Sequence, residues 1–425
     1  MTRRVLAVIL TFSCFTGMVL FAPSIGGQYQ LWRIERLMSM CSQQEAAKLA
    51  SRLADISVSE SDRNPRVLYL LGRLNRRIGN LDQALEQLTL AEKLGFEPAA
   101  IRHQRQLALF QRGHLDQSSE LNRLLRADLP DDQAYEVYES LAKGYLFSYR
   151  FQDAMQLLDF WIQWSTDATD PRIWRAGIWE QTDSWARAVE EYRDILRIDT
   201  EHLEARLGLA RLLMTRFNKP DEAARELQRG LEVSPNDAAC LIGMAACQRQ
   251  MASGDEAERL LRRVLASGAD SSLQISAKRE LGQVLLDQQK TEEATALLRE
   301  VIRITPQDST AHYALGTALA AEGQHEEAQR EFSKSRELVE QYARLSTITQ
   351  ALVNNPANPD LRWEAGEILM KQGLAAEGAA WMSTALMYEP AHQNTHRRLA
   401  EYYETVKPDA AMAEHHRSQI TSQKE

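Results

Sequence analysis

Residues 309–342 read STAHYALGTALAAEGQHEEAQREFSKSRELVEQY, and this stretch decides the architecture. Two helix-spaced apolar patterns flank a turn at Gly323. Leu315-Gly316 in the first pattern should face Ala328 and Phe332 in the second. Small residues let two helix backbones approach, and bulky ones fill the space beside them. The same order of residues recurs along the chain. Ala84, Ser118, Ala154, Ala188, Ala223, Ala257, Ala294 and Ala328 share one slot, at spacings of 34, 36, 34, 35, 34, 37 and 34 residues. A fixed period of this length predicts stacked helix pairs, each touching only its neighbours.

Other copies match in part. Residues 65–98 carry Leu71-Gly72, Gly79 and Ala84, and residues 275–308 carry Leu281-Gly282, Ala294 and Pro306. Residues 169–202, 203–237, 238–271 and 359–392 keep Ala176, Ala210, Ala245 and Gly366 in the first small slot. Prolines 235, 306 and 390 stand where a helix must stop. Two copies depart further: Gln106 and Ser118 fill small slots in 99–132, and Trp161 stands where a small residue is expected in 135–168. The step from Ala328 to Gly378 is 50 residues, and 326–353 contains neither Gly nor Pro. One overlong second helix is expected there, either jutting out to dock a partner or serving as a longer cap for the neighbouring unit.

Leu315, Gly316, Gly323, Ala328 and Phe332 resemble the tetratricopeptide repeat family, and the frame extends over about 390 residues. The resemblance implies an all-α fold, an α-solenoid coiled as a right-handed superhelix of helix-turn-helix pairs. The expected organisation is a signal-anchor or signal peptide at 1–27 and a degenerate first repeat at 28–62. Eight repeats follow at 65–342, then a helix extension and turn at 343–358, a further repeat at 359–392 and capping helices at 393–425.

Arg3 and Arg4 precede an uncharged run from Val5 to Ala22. Eighteen helical residues reach about 27 Å, close to the thickness of a bilayer core. Positive charge on the N-terminal side orients the following chain outward, toward a bacterial periplasm. Ser24-Ile25-Gly26 offers a small-residue cleavage site as the alternative, which would leave a secreted or periplasmic protein.

The net charge of -9 argues against a nucleic-acid binder, which would carry a basic surface. Four cysteines, 14, 41, 240 and 247, include no CxxC pair. Cys240 and Cys247 share a helix face two turns apart, too far for a disulfide. No GxGxxG, GxxxxGK[ST], HExxH, GxSxG or CxxCH occurs, so no enzyme, cofactor or metal is expected. His392 and His396 lie one turn apart, a spacing that suits a shared metal, but solvent-facing histidines are the expectation.

In this family the first helix of each unit lines the concave side, so a stripe along it marks candidate partner contacts. The candidates are Arg66, Tyr69, Arg73, Arg76, Arg77, Phe110, Phe147, Tyr313 and Trp363, with Glu136, Glu139, Lys143, Glu180, Arg211, Arg249, Arg279 and Glu367 on the same stripe. Arginine forks suit carboxylates, which points to other proteins or peptides with acidic or C-terminal carboxylate segments. The alternative for these arginines is a solvated face with local salt bridges. Trp161, Trp164, Trp174, Trp179 and Trp185 cluster in 135–192, as core packing or as a peptide-binding patch. The expected function is a non-catalytic scaffold at or outside the bacterial cytoplasmic membrane. The alternatives are a periplasmic accessory factor in envelope assembly or secretion, and a regulatory subunit of an enzyme complex.

Overall fold

The computed structural model describes residues 49–51, 53, 64–115, 129 and 131–420. The apolar run 5–22, nearly all of the 28–62 repeat, Cys14, Cys41 and Ser118 lie outside them. Among the described residues no helix is long and apolar enough to cross a membrane, and no strand occurs. Two compact units emerge, Met1–Phe147 and Ser148–Glu425.

The first unit contains α1 (Pro65–Ile78), α2 (Leu81–Lys93), α3 (Pro98–Gln111) and α4 (Asp131–Phe147). Asn64 caps α1, its side chain accepting from the amides of Arg66 and Val67, and Gly79 ends it in the left-handed conformation at φ 94°. Gly144 sets the packing of the last two helices. A Cβ there would lie 2.0 Å from the Phe110 carbonyl oxygen, so only glycine lets α4 sit this close to α3.

The second unit begins with α5 (Phe151–Trp164) and α6 (Asp170–Gln181), followed by α7 (Trp185–Ile198), α8 (Leu203–Thr215), α9 (Pro220–Val233) and α10 (Ala238–Gln250). It continues through α11 (Gly254–Ala266), α12 (Ser271–Asp287), α13 (Thr291–Ile304), α14 (Ser309–Ala321) and α15 (His325–Asn354). It ends with α16 (Pro359–Lys371), α17 (Ala375–Tyr388), α18 (Gln393–Thr405) and α19 (Ala410–Ser418).

The recurring alanines are what join each pair. Ala154, Ala188, Ala223, Ala257 and Ala294 are inaccessible to solvent, and Ala328 nearly so. Opposite them the backbone approaches closely: a Cβ on Gly282 would lie 2.8 Å from Leu298, and one on Gly316 would lie 2.7 Å from Phe332. Gly72 and Leu88 in the first unit repeat this contact at 2.9 Å. Five residues before each alanine the chain reverses through a left-handed residue. Gly79 and Gly323 take that position, but so do Tyr149, Asp183, Asn218, Ala252 and Gln289, at φ of 52–63°. The period therefore persists in backbone conformation even where the glycine is missing.

A second regular device joins one pair to the next. The fourth position of a first helix reaches back to the carbonyl six residues earlier. Arg206 bonds Thr200 O, His312 Nε2 lies 3.0 Å from Pro306 O, Arg362 Nε lies 3.0 Å from Pro356 O, and His396 Nε2 lies 2.8 Å from Pro390 O. Each contact satisfies a carbonyl in the turn that leads from the preceding helix into that first helix.

α15 fills the long step with 30 residues. Its second half does not project into solvent. Ile348 and Leu352 are fully buried with Ala365, against Tyr149, Leu361, Ile368 and Trp381. Within this unit the chain also returns to its own beginning. Arg362 is inaccessible, and its Nη2 donates to Ser148 O at 2.5 Å, while Tyr149 packs on Trp381 at 4.2 Å. Gln350 of the extension donates to Asp183 Oδ2, at the turn between α6 and α7. The extended helix is thus a closing strut of the unit rather than a free arm.

Candidate protein-binding face

Successive first helices α8, α10, α12 and α14 approach one another more closely than do the second helices between them, so they line the inner side of the array. Several stripe residues there meet in pairs across neighbouring units. Arg211 donates to Glu180 at 2.6 Å, Arg249 to Glu280 at 2.8 Å, and Arg279 to Asp308 at 2.8 Å. Arg398 continues the pattern on Glu367 at 2.9 Å. These pairs are partly solvated, so each contributes little stability. Each pair offsets the charge of its own members and fixes the heading of long side chains.

Tyr313 stands out on this face. It is 63% exposed, the most open of the large hydrophobic side chains among the described residues, and its ring leans on Phe332 at 5.5 Å. Trp363 is half-buried, in the cluster of Met370, Met382, Leu399 and Tyr402. Its indole Nε1 is buried without a hydrogen-bond partner among the described residues.

The first unit places its candidates differently. Arg66 and Phe147 are exposed, and Tyr69 is half-buried, stacked on Phe96 at 4.4 Å. Phe110, Arg76 and Arg77 are fully buried, which removes them as partner contacts. The physical reason is a charge network across three helices. Glu136 of α4 accepts from Arg73 at 2.5 Å, Arg76 at 2.8 Å and Gln104 at 2.8 Å. Glu139 accepts from Arg77 at 3.0 Å and Lys143 at 2.8 Å, and Ser140 accepts from Arg76 at 2.7 Å. Burial alone would push the Glu136 carboxyl up, but Arg73 and Arg76 beside it hold it far below the usual carboxylate range. Lys143 and Arg77 lower Glu139 in the same way. Burial lowers Arg76 against the pull of the two carboxylates. Arg73 and Arg76 are therefore committed to internal carboxylates, and the ground for expecting an acidic segment at this place is withdrawn.

The tryptophan cluster divides: Trp161 is core, Trp174, Trp179 and Trp185 are half-buried, and Trp164 is exposed. Trp161 is inaccessible and meets Trp174 edge-on at 5.4 Å. Gly177 does not make room for it, since a Cβ there would meet nothing within 4 Å. Trp179 and Trp185 carry stacked guanidiniums, from Arg187 at 4.6 Å and Arg216 at 4.0 Å.

Three of the C-terminal histidines also reverse the expectation of solvent-facing rings. His392 is 6% exposed, His396 2% and His416 4%. His392 caps α18, its Nδ1 accepting from the Thr395 amide at 3.3 Å, and its Nε2 faces Asp360 at 3.1 Å. His396 holds the reach-back position described above. Sequence spacing showed neither role, because a histidine cap reads like any surface histidine. Among the described residues no three His, Cys, Asp or Glu side chains gather as a metal site. Cys240 and Cys247 are free and buried, and burial pushes their thiols up to about 12 and about 11.

Similarity to known proteins agrees with the repeat frame. Residues 215–281 and 285–352 match the Tetratricopeptide repeat family. No curated protein matches the chain in sequence. Among solved structures it is similar to the MamA protein, at 20% identity over 41% of this chain and 94% of that one, TM-score 0.31. It is also similar to YrrB, a TPR protein with an unusual peptide-binding site, at 19% identity over 49% of this chain and 97% of that one, TM-score 0.29. A third similar structure is MamA from residue 41 to its end, from Desulfovibrio magneticus RS-1, at 19% identity over 45% and 96%, TM-score 0.28. The described chain is thus an all-α array that carries tetratricopeptide repeats, matched in sequence over 215–352.

Proposed function

We propose that this protein is a non-catalytic scaffold that holds other proteins or peptides along the inner face of its second unit. The supporting observation is the pairing of matched repeats with an inner face whose charges are internally balanced and whose most open aromatic is Tyr313. An exposed aromatic on a rigid helix is an efficient anchor, since little conformational freedom is lost on binding. The groove lining is otherwise built of inter-unit ion pairs, which suit specificity more than affinity. A photo-crosslinking residue placed at Tyr313 tests this. Discrete adducts, absent when the same residue replaces Val233, exposed at the end of the second helix α9, are the expected outcome; equal labelling from both sites contradicts it.

The scaffold is further proposed to act at the bacterial cytoplasmic membrane, tethered through residues 5–22 with its repeats in the periplasm. The uncharged run behind Arg3 and Arg4 supports this. N-terminal sequencing of the purified protein separates a retained anchor from a segment cleaved near Ser24. Protease added to intact spheroplasts should digest the repeats, and full protection would overturn the orientation.

A further inference from the structure

Two histidines face each other across the last helix pair. His396 of α18 and His416 of α19 approach through their Nδ1 atoms, 3.0 Å apart. The other nitrogen of His396 lies 2.8 Å from the Pro390 carbonyl oxygen. A carbonyl only accepts, so His396 Nε2 carries a hydrogen and donates it. A neutral imidazole has one such hydrogen, which leaves His396 Nδ1 as a bare acceptor. His416 Nδ1 therefore carries the hydrogen between the rings. The arrangement is complete with both rings neutral.

Charge on either ring disturbs it. A first proton on His396 Nδ1 keeps the hydrogen bond only with His416 in its Nε2–H tautomer, and it puts the cation on a ring 2% exposed; a second proton would point two N–H groups at each other. A proton on His416 Nε2 would leave the hydrogen bond but place a cation on a ring that is 4% exposed. The groups facing His416 are His396 and Tyr403 of α18, the latter stacked at 5.8 Å, and its own neighbour His415 at 5.2 Å. Arg417, next in sequence, is engaged with Glu404 of α18 and Glu414. Burial first, then His396 and His415, push His416 down to about 4.

The helix that His416 fastens is weak alone. α19 has nine residues, and isolated helices of this length are not stable in water. Only Ala413 and His416 of α19 are buried. We propose that the His396–His416 pair is a proton-operated catch, which when neutral fastens α19 over α18 and when charged releases it. Release would uncover the face of α18 at the end of the array.

The direction follows from proton linkage. A histidine held below its ordinary 6.5 binds fewer protons when docked than when free. Docking is therefore at full strength above about 6.5 and weakens as pH falls toward 4. Hydrogen exchange of the full chain at pH 7.5 and 5.0, corrected for intrinsic rates, reads this directly. Amides of 410–418 should lose protection on the order of ten- to a hundredfold at the lower pH, while α10 to α13 keep theirs. His416→Phe, which retains a ring on Tyr403, should flatten the response, and His415→Gln, which removes only the smallest of the three influences on His416, should leave most of it in place. Equal protection of 410–418 at both pH values overturns the proposal, as does an undiminished response in His416→Phe. Should the phenylalanine undock α19 at both pH values, His416→Gln replaces it. Its amide donates to His396 Nδ1 without titrating, and a response as large as the native one again overturns the catch.

Discussion

The same stripe of the first helix does opposite things in the two units. In residues 65–147 it is buried: Arg76 and Arg77 are inaccessible, and Glu136 binds partners from α1 and α3 at once. In residues 170–321 it is solvated: Arg211 stays half exposed while paired, and Tyr313 is open. Stripe identity therefore does not decide role; the approach of the neighbouring helices does. Gly144 lets α4 sit against the backbone of α3, and the stripe between these helices is buried. No such approach occurs between α12 and α14, where Arg279 remains partly solvated on Asp308.

The contrast is most sharply tested by removing one carboxylate. Glu136→Ala leaves Arg73 and Arg76 facing each other in the interior, so urea unfolding of the first unit should lose about 3–5 kcal/mol. A loss below about 1 kcal/mol, the value of a solvated pair, would erase the distinction between the units. Gly144→Ala comes next. Its Cβ would collide with backbone that cannot yield, and the first unit should lose about 1–3 kcal/mol as α4 shifts outward. Fluorescence or exchange showing no loosening of α4 would contradict the close-approach account.

Acid should distinguish the regions in order. Glu136 is held below its unfolded value of 4.5, so its contribution is complete above that pH and is lost only well below it. His416 is depressed from 6.5, so docking of α19 weakens at milder acidity. Exchange measured along a descending pH series should report α19 first and α1 to α4 later, and the reverse order would refute both assignments. The smallest effect belongs to the inner face. Arg249→Ala breaks a partly solvated pair and should cost about 0.2–1 kcal/mol in thermal unfolding.

Much of the frame was legible from residue spacing. The alanine slot predicted burial at Ala154, Ala188, Ala223, Ala257 and Ala294, because a small residue at a fixed period has few reasons other than close packing. The Gly316 contact with Phe332 was legible for the same reason. The site was less so. Arg76 and Glu136 both lay on the stripe, and their opposite charges were visible, but their meeting is 60 residues apart in sequence and depends on Gly144. Positive φ at Ala252 and Gln289 was invisible, since neither residue favours that conformation and only the five-residue offset from the alanine betrays it. The return of Arg362 to Ser148 spans 214 residues, beyond anything periodicity carries.

Partners are proposed to meet the solvated stripe and not the buried one. Site-specific photo-crosslinking from Tyr313 in cells, compared with the exposed Val233 at the end of α9, is the deciding measurement. A discrete set of adducts from Tyr313, lost in a variant carrying Arg211→Glu and Arg279→Glu with helical content unchanged, is the expected result. Identical adducts from both positions, or a set that survives those charge reversals, would contradict it.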